Sequence, residues 1–187
     1  MEVIANPEQK VFYWLEANVC THSKWVLFTA VYQDNLIMSG LAASWQEAER
    51  FVPELAKLVQ KHLAGCSLEE NREANRQAIE EFQDYFQNRR QSFTLEILPL
   101  GTDFQKRVWQ ELCKIPYGET LSYAEVAAKV GCPLGQRAVG MANNKNPLGI
   151  IVPCHRVIGK KGDLTGYAGG LDIKRMLLEL EKTGKTE

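Results

Sequence analysis

Residues 1–98 mix strand-like alternation with helical spacing, whereas residues 99–187 are mostly of helical period, and the chain changes from one to the other at Pro99-Leu100-Gly101. A period near two demands sheet pairing, and one near 3.6 demands a helix with a buried stripe, so a chain holding both in blocks segregates its sheet from its helices. The expected class is therefore α+β in two domains. Residues 1–98 form a mixed β-sheet domain with helices, and residues 99–187 form a mostly helical domain.

In the first block, WVLFTAVY and LIMSGLA read as two strands around a turn at Gln33-Asp34-Asn35, with a third strand near VFYWLEANVC. Ser44 and Glu47 have capping-box spacing, and Phe51, Val52, Leu55, Leu58 and Val59 follow at helical intervals, with Pro53 expected to kink or split the helix. Residues 69–88 are charged, with a narrow stripe of Ile79, Phe82 and Phe86, which predicts a surface helix; FTLEIL at 93–98 alternates like a strand.

The second block opens with a capping box at Thr102 and Gln105 and a helix carrying Phe104, Val108, Leu112 and Ile115 on one face. Another box at Ser122 and Glu125 opens SYAEVAAKV, which Gly131 ends; Pro133 is expected to restart a helix over PLGQRAVGMANN, giving a helix-turn-helix. GIIVP reads as a buried strand leading to Cys154, a glycine-rich loop follows from Gly159 to Gly170, and a last helix presents Ile173, Met176, Leu177 and Leu180.

Charge divides along the same line. The whole chain has a net charge of -1, but residues 1–98 carry nine basic and 14 acidic side chains, whereas 99–187 carry 13 basic and nine acidic. Between Phe104 and Lys161 the basic side chains number nine and the acidic three. Such a local excess is the electrostatic footprint of a polyanion partner, which the neutral total conceals. Five cysteines without regular spacing argue against a disulfide scaffold, and the absence of an 18-residue apolar run or a leader-like N-terminus predicts a protein that is neither exported nor membrane-spanning. Cys20 with His22, and His62 with Cys66, are the nearest approach to metal-ligand spacing; no Cys-x-x-Cys is present, and no metal or other cofactor is expected.

Of the five cysteines, Cys154 alone has neighbours that can explain reactivity: Pro153 before it, His155 and Arg156 after it. A free thiol is only a few per cent thiolate at neutral pH, so a nucleophilic cysteine needs a base or a cation beside it. His155 and Arg156 can supply both. Successive residues of a strand point to opposite faces, so contact between Cys154 and His155 requires a turn or a bridging water.

Pro-Cys-His-Arg-Val at 153–157, RAVGMANNKNP at 137–147, the Gly166–Leu171 loop, TDFQKRVW at 102–109 and PYGETLSYAEVA at 116–127 occur in one order. Together they resemble the O6-alkylguanine-DNA alkyltransferase family over residues 100–182. The resemblance implies direct-reversal DNA repair. An alkyl group would pass from O6 of guanine, with O4 of thymine as a second candidate, to Cys154, and the protein would be consumed. It implies His155 as base, Glu181 as the carboxylate that orients it, Asn146 as the brace of the active-site turn, and Tyr123 and Lys174 near the departing base. DNA-contacting residues implied are Tyr123, Ala124, Gln136, Arg137 and Lys160, with Arg137 filling the gap left by a base flipped through the minor groove. Gln136 departs from the small residue usual before that arginine. Pocket residues implied are Gly149, Val152, Tyr167 and Ala168. The expected partner is double-stranded DNA, bound by a monomer, in the cytoplasm of a bacterium or archaeon or the nucleus of a eukaryote. Two other classes remain open on these residues: a lesion-binding protein without transfer activity, against which Cys154, His155 and Glu181 argue, and a cysteine hydrolase, which would have no use for a helix-turn-helix.

Overall fold

The structure is a computed structural model that describes residues 9–19 and 25–184. The chain divides into two compact units, 1–100 and 101–187, two residues beyond the expected boundary. The first holds a four-stranded sheet and the second is built mainly of helices, an α+β arrangement.

In the first unit β1 (Lys10–Ala17), β2 (Val26–Tyr32) and β3 (Asn35–Ala42) form an antiparallel meander. Gln33 and Asp34 both take positive φ, of 49° and 63°, so the β2–β3 hairpin closes in a two-residue turn whose twist matches that of the strands. The helix expected after Ser44 is split into α1 (Trp45–Ala48) and α2 (Phe51–His62). The break precedes Pro53, which lies in the first turn of α2, where a missing N–H leaves no hydrogen bond unmade. Phe51, Leu55, Val59 and Leu63 pack on the Val26, Phe28, Ala30 and Tyr32 face of the sheet, with Phe28 stacked on Phe51 at 5.1 Å between centroids.

Two expectations fail in the charged stretch. Residues 67–70 are not helical but form β4 (Ser67–Glu70), paired in parallel with β1, and the helix is confined to α3 (Arg76–Phe86). FTLEIL makes no strand beyond a single bridge between Leu36 and Ile97. The reason is local: the buried Glu81 carboxylate accepts from Thr94 N at 2.8 Å and Arg90 Nη1 at 3.0 Å, and from the Thr94 hydroxyl, which takes the backbone amide that a ladder would use.

The second unit contains α4 (Asp103–Leu112), β5 (Leu121–Ser122), α5 (Tyr123–Lys129), α6 (Gln136–Asn144), β6 (Val157–Ile158) and α7 (Leu171–Thr183). Both predicted capping boxes are formed, Thr102 with Gln105 and Ser122 with Glu125. Gly131, at φ 79°, ends α5 in the left-handed conformation. The next helix starts three residues later than predicted: residues 133–135 form a turn, and α6 begins at Gln136. Trp109, buried in α4, donates its indole N–H to Ala142 O at 2.9 Å and fixes the C-terminal end of α6. The buried side of α7 is not the expected Ile173, Met176, Leu177 and Leu180 but Ile173, Lys174, Leu177 and Glu181. The helix is rolled so that two charged side chains point into the unit.

Candidate active site

Cys154 is delivered by a turn, not by the predicted strand. Residues 149–153 make only an isolated bridge between Gly149 and Val152, and Ile150 sits at φ 77° although it is β-branched and buried. That conformation is costly for such a residue and persists only where the surroundings impose it. Asn146 imposes it here: its Nδ2 donates to Val152 O at 2.9 Å and Leu148 O at 3.4 Å, its Oδ1 accepts from Leu148 N at 3.0 Å, and Val152 N closes on Leu148 O at 2.9 Å. Cys154 then opens a short 3-10 turn through Arg156, 6% exposed, with its carbonyl held by Asn143 Nδ2 at 3.3 Å. Burial pushes the thiol above its ordinary pKa, against the opposing pull of the Asn146 side chain and the Lys174 ammonium.

The 3-10 turn sends His155 inward, where it is fully buried. Its Nε2 lies 2.9 Å from Glu181 Oε1. Burial alone would raise the Glu181 carboxyl, but hydrogen bonds from His155 and Arg156 hold it well below the ordinary carboxylate range. Burial drives His155 the other way, towards its neutral form. An ionised carboxylate accepts only, so the single ring proton of neutral His155 sits on Nε2, and Nδ1 carries the free lone pair. Nδ1 is buried and has no hydrogen-bond partner. The remaining acceptor capacity of Glu181 is filled by Arg156, with Nη2 at 2.8 Å from Oε1 and Nε at 2.9 Å from Oε2, and by Gly118 N at 3.0 Å. Arg156 Nη1 donates onward to Ile115 O at 2.6 Å.

The other polar groups near the sulfur are Tyr123, Lys174 and Tyr167. Lys174 is buried and donates to Val157 O at 2.6 Å and Thr165 O at 2.9 Å; Tyr123 donates to the same Thr165 carbonyl at 3.1 Å. Burial lowers the Lys174 pKa and raises that of Tyr123. Tyr167 is half-buried, and burial together with the nearby Cys154 sulfur pushes its phenol well above the ordinary value. A Cβ on Gly169 would stand 2.8 Å from the Tyr167 ring, so only glycine lets the loop fold over that ring. Of the remaining pocket candidates, Val152 is buried, Gly149 half-buried and Ala168 exposed.

The parallel bridge of β5 with β6 ties the start of α5 to the residues directly after the 3-10 turn. Ser122 thus belongs to the bridge and caps α5, and Tyr123 and Ala124, both half-buried, open that helix. The turn into α6 follows, with Gln136 and Arg137 exposed. Gln136 folds back on Pro133 O at 2.9 Å, whereas Arg137 has no hydrogen bond or ion pair among the described residues. A Cβ on Gly140 would sit 3.8 Å from the Tyr123 ring, which puts this face of α6 beside the sulfur pocket. Lys160 is exposed in the loop after β6.

Residues 103–183 match the family described as 6-O-methylguanine DNA methyltransferase, DNA binding domain. The methylated-DNA–protein-cysteine methyltransferase of Methanosarcina barkeri is 57% identical over 113 residues, 60% of this chain and 72% of its own length. The crystal structure of the Mycobacterium tuberculosis O6-methylguanine methyltransferase superposes with a TM-score of 0.74 at 39% identity, covering 94% of this chain and 95% of that one. The chain belongs to the O6-methylguanine-DNA methyltransferase family. A structure of the Mycobacterium tuberculosis protein in complex with DNA is also similar, with a TM-score of 0.72 at 36% identity over 92% of this chain and 94% of that one.

For a methyltransferase of this family, sequence reasoning misassigns one side chain and misses another. Adjacency to Cys154 suggests Arg156 as the source of positive charge for the thiol, but its guanidinium is committed to Glu181 and Ile115, and the cation acting on Cys154 is Lys174. Asn143, which holds the Cys154 carbonyl, carries no sequence signal apart from its place one turn before Asn146. Among the described residues no group of His, Cys, Asp and Glu side chains could hold a metal; Cys20 and His22 lie outside them. No helix among the described residues is long and apolar enough to cross a membrane.

Proposed function

We propose that this protein repairs O6-alkylguanine in double-stranded DNA by moving the alkyl group irreversibly to Sγ of Cys154. The observation that carries the reading is a buried cysteine next to a histidine whose Nε2 is occupied by an ionised carboxylate, leaving Nδ1 as the one free base in the pocket. The thiol proton passes to Nδ1 through a bridging water. The sulfur attacks the alkyl carbon as the carbon–O6 bond breaks, and the electron pair leaves on the guanine. Tyr123 donates to that base while Lys174 lies on the O6 side, so the leaving group departs without full negative charge. Sulfur retains the alkyl group as a thioether, which has no easy route back to a thiol, so each molecule reacts once.

A thiol this buried reaches a guanine only if the base leaves the helix. The surface of α6 favours such extrusion. Half-buried Ala138 and Gly140 let the helix approach closely and offer no base-reading groups, and exposed, unpaired Arg137 is free to enter the vacated position. Tyr167 stacks on the extruded base, and Gly149, Val152 and Ala168 line the pocket that receives it. Ala124, Gln136 and Lys160 complete the duplex contact. One chain carries thiol, base and duplex-facing helix, which supports action as a monomer, and its similarity to archaeal and bacterial proteins supports the cytoplasm of such a cell as the place.

Excess duplex oligonucleotide containing O6-methylguanine, followed by intact-protein mass spectrometry, tests this. One methyl on Cys154, stopping at one equivalent, is expected; Cys154→Ser should bind the duplex and gain nothing. Wild-type protein that binds the duplex unmodified would overturn the reading in favour of a lesion-binding protein, and continuous turnover would point to a hydrolase.

A further inference from the structure

Two large apolar side chains on the helix-turn-helix are turned largely to solvent. Leu134 is 93% exposed and Met141 66% exposed, and in residues 101–184 only Leu171, at 43%, is a comparably exposed large hydrophobic. Leu134 stands immediately before Gly135, the residue that caps α6, where a leucine ordinarily staples itself to the first turn; at 93% exposure it makes no such staple. Leu134 lies in the turn directly ahead of α6, three residues before Arg137, and Met141 follows Arg137 by four, one helical turn further along the same face of α6. Arg137 on that face has no partner among the described residues, and Gly140, beside Met141, backs onto Tyr123 at the mouth of the sulfur pocket. The helix QRAVGMANN contains no acidic residue and Lys145 follows it directly, so the patch sits in a field that favours a polyanion over an ordinary protein surface.

We propose that Leu134 and Met141 are apolar brackets that seat against the deoxyribose walls of the minor groove on either side of Arg137. The inference rests on the reading of this protein as a repair protein acting on duplex DNA. Sugar faces are the apolar part of the groove, and leucine and methionine are among the apolar side chains that minor-groove proteins bring into it. The four residues from Arg137 to Met141 rise about 1.5 Å each, roughly 6 Å or about two base pairs at 3.4 Å, so with α6 along the groove Met141 lies over a neighbour of the vacated pair and Leu134, in the turn ahead of the helix, lies on the other side. The brackets displace water from the groove without reading sequence. They add affinity that salt does not screen, beside an arginine whose contribution salt weakens.

The test measures the affinity of wild type, Leu134→Ser/Met141→Ser and Met141→Leu for a duplex containing O6-methylguanine by fluorescence anisotropy between low and moderate salt, with the rate of reaction with free O6-benzylguanine measured alongside. The double serine variant should bind about tenfold more weakly at every salt concentration, as expected for exposing two part-buried apolar side chains. The slope of log affinity against log salt should match that of wild type, since no phosphate contact is removed. Met141→Leu, which keeps the apolar volume, should bind like wild type, and all three should react equally with the free base. Wild-type affinity in the double serine variant overturns the inference, as does an altered salt slope, a Met141→Leu as weak as the serine variant, or a free-base rate that falls in step with affinity. Each of these leaves the repair reading standing, whereas wild type that neither binds nor is alkylated by the duplex overturns both.

Discussion

Glu181→Gln should separate what the buried carboxylate does for the fold from what it does for the thiol. Glu181 is fully buried and receives His155 Nε2 at 2.9 Å, two guanidinium nitrogens of Arg156 at 2.8 and 2.9 Å, and Gly118 N at 3.0 Å. The substitution keeps the shape and strands the Arg156 charge in the interior. Removing one partner of a buried ion pair costs about 3–5 kcal/mol. For a unit of this size that lowers the thermal midpoint by at least about 10 °C, readable by circular dichroism. Alkyl transfer should slow by roughly 10²- to 10⁴-fold, the scale on which an orienting carboxylate acts on a catalytic histidine. Adding Arg156→Met removes the stranded charge, and replacing a buried pair as a whole is often neutral in stability. The double variant should therefore regain at least half of the lost midpoint while its transfer rate, measured by mass spectrometry on a lesion duplex, stays low. If the midpoint does not recover, Glu181 and Arg156 are not a coupled pair. If rate and midpoint recover together, Glu181 serves only the fold.

Other expectations concern the same unit. His155 has a folded pKa below its ordinary 6.5, so Nδ1 remains a base as pH falls through 6.5, and a pH profile of transfer should stay level there and drop only at lower pH. Stability has the opposite sensitivity: the unfolded chain protonates His155 first, and Glu181, whose folded pKa is lowered from 4.5, adds stability that is present above pH 4.5 and lost below it. Melting temperatures should therefore decline from pH 6.5 downward and more steeply beneath 4.5. Asn146→Ala leaves Leu148 N without its acceptor and Val152 O with Cys154 N alone, costing about 1–3 kcal/mol, and frees the Ile150 backbone. Transfer rate should fall while duplex affinity holds, and equal losses in both would remove Asn146 as the brace of the thiol. Arg137→Ala should slow repair of duplex lesions far more than reaction with free O6-benzylguanine; an equal effect on both would exclude a role in base extrusion.

The features readable from the sequence are those whose causes are local. The boxes at Thr102–Gln105 and Ser122–Glu125 close within four residues, so spacing alone identifies them. Cys154 and His155 are legible because they are adjacent, and Glu181 is legible only through the family resemblance. What escapes depends on partners distant in sequence. β4 reads as charged surface because its pairing with β1 lies more than fifty residues away, and FTLEIL loses its strand to a carboxylate on α3. GIIVP has the composition of a strand, but Asn146 turns its backbone at Ile150 into a conformation that no propensity favours. The roll of α7 is set by Lys174 and Glu181, which hydrophobicity places outside and hydrogen bonding draws in.

A protein that reacts once has a shelf life rather than a turnover number, and the 6% exposure of Cys154 bears on it. Oxidants and stray electrophiles attack exposed thiolates first. A sulfur that is sunk in the unit and kept protonated by its burial is protected between synthesis and use. On the function proposed above, the carbon that reaches it is one carried in on an extruded base. Seclusion of the nucleophile therefore sets how many copies are still unspent when a lesion arises.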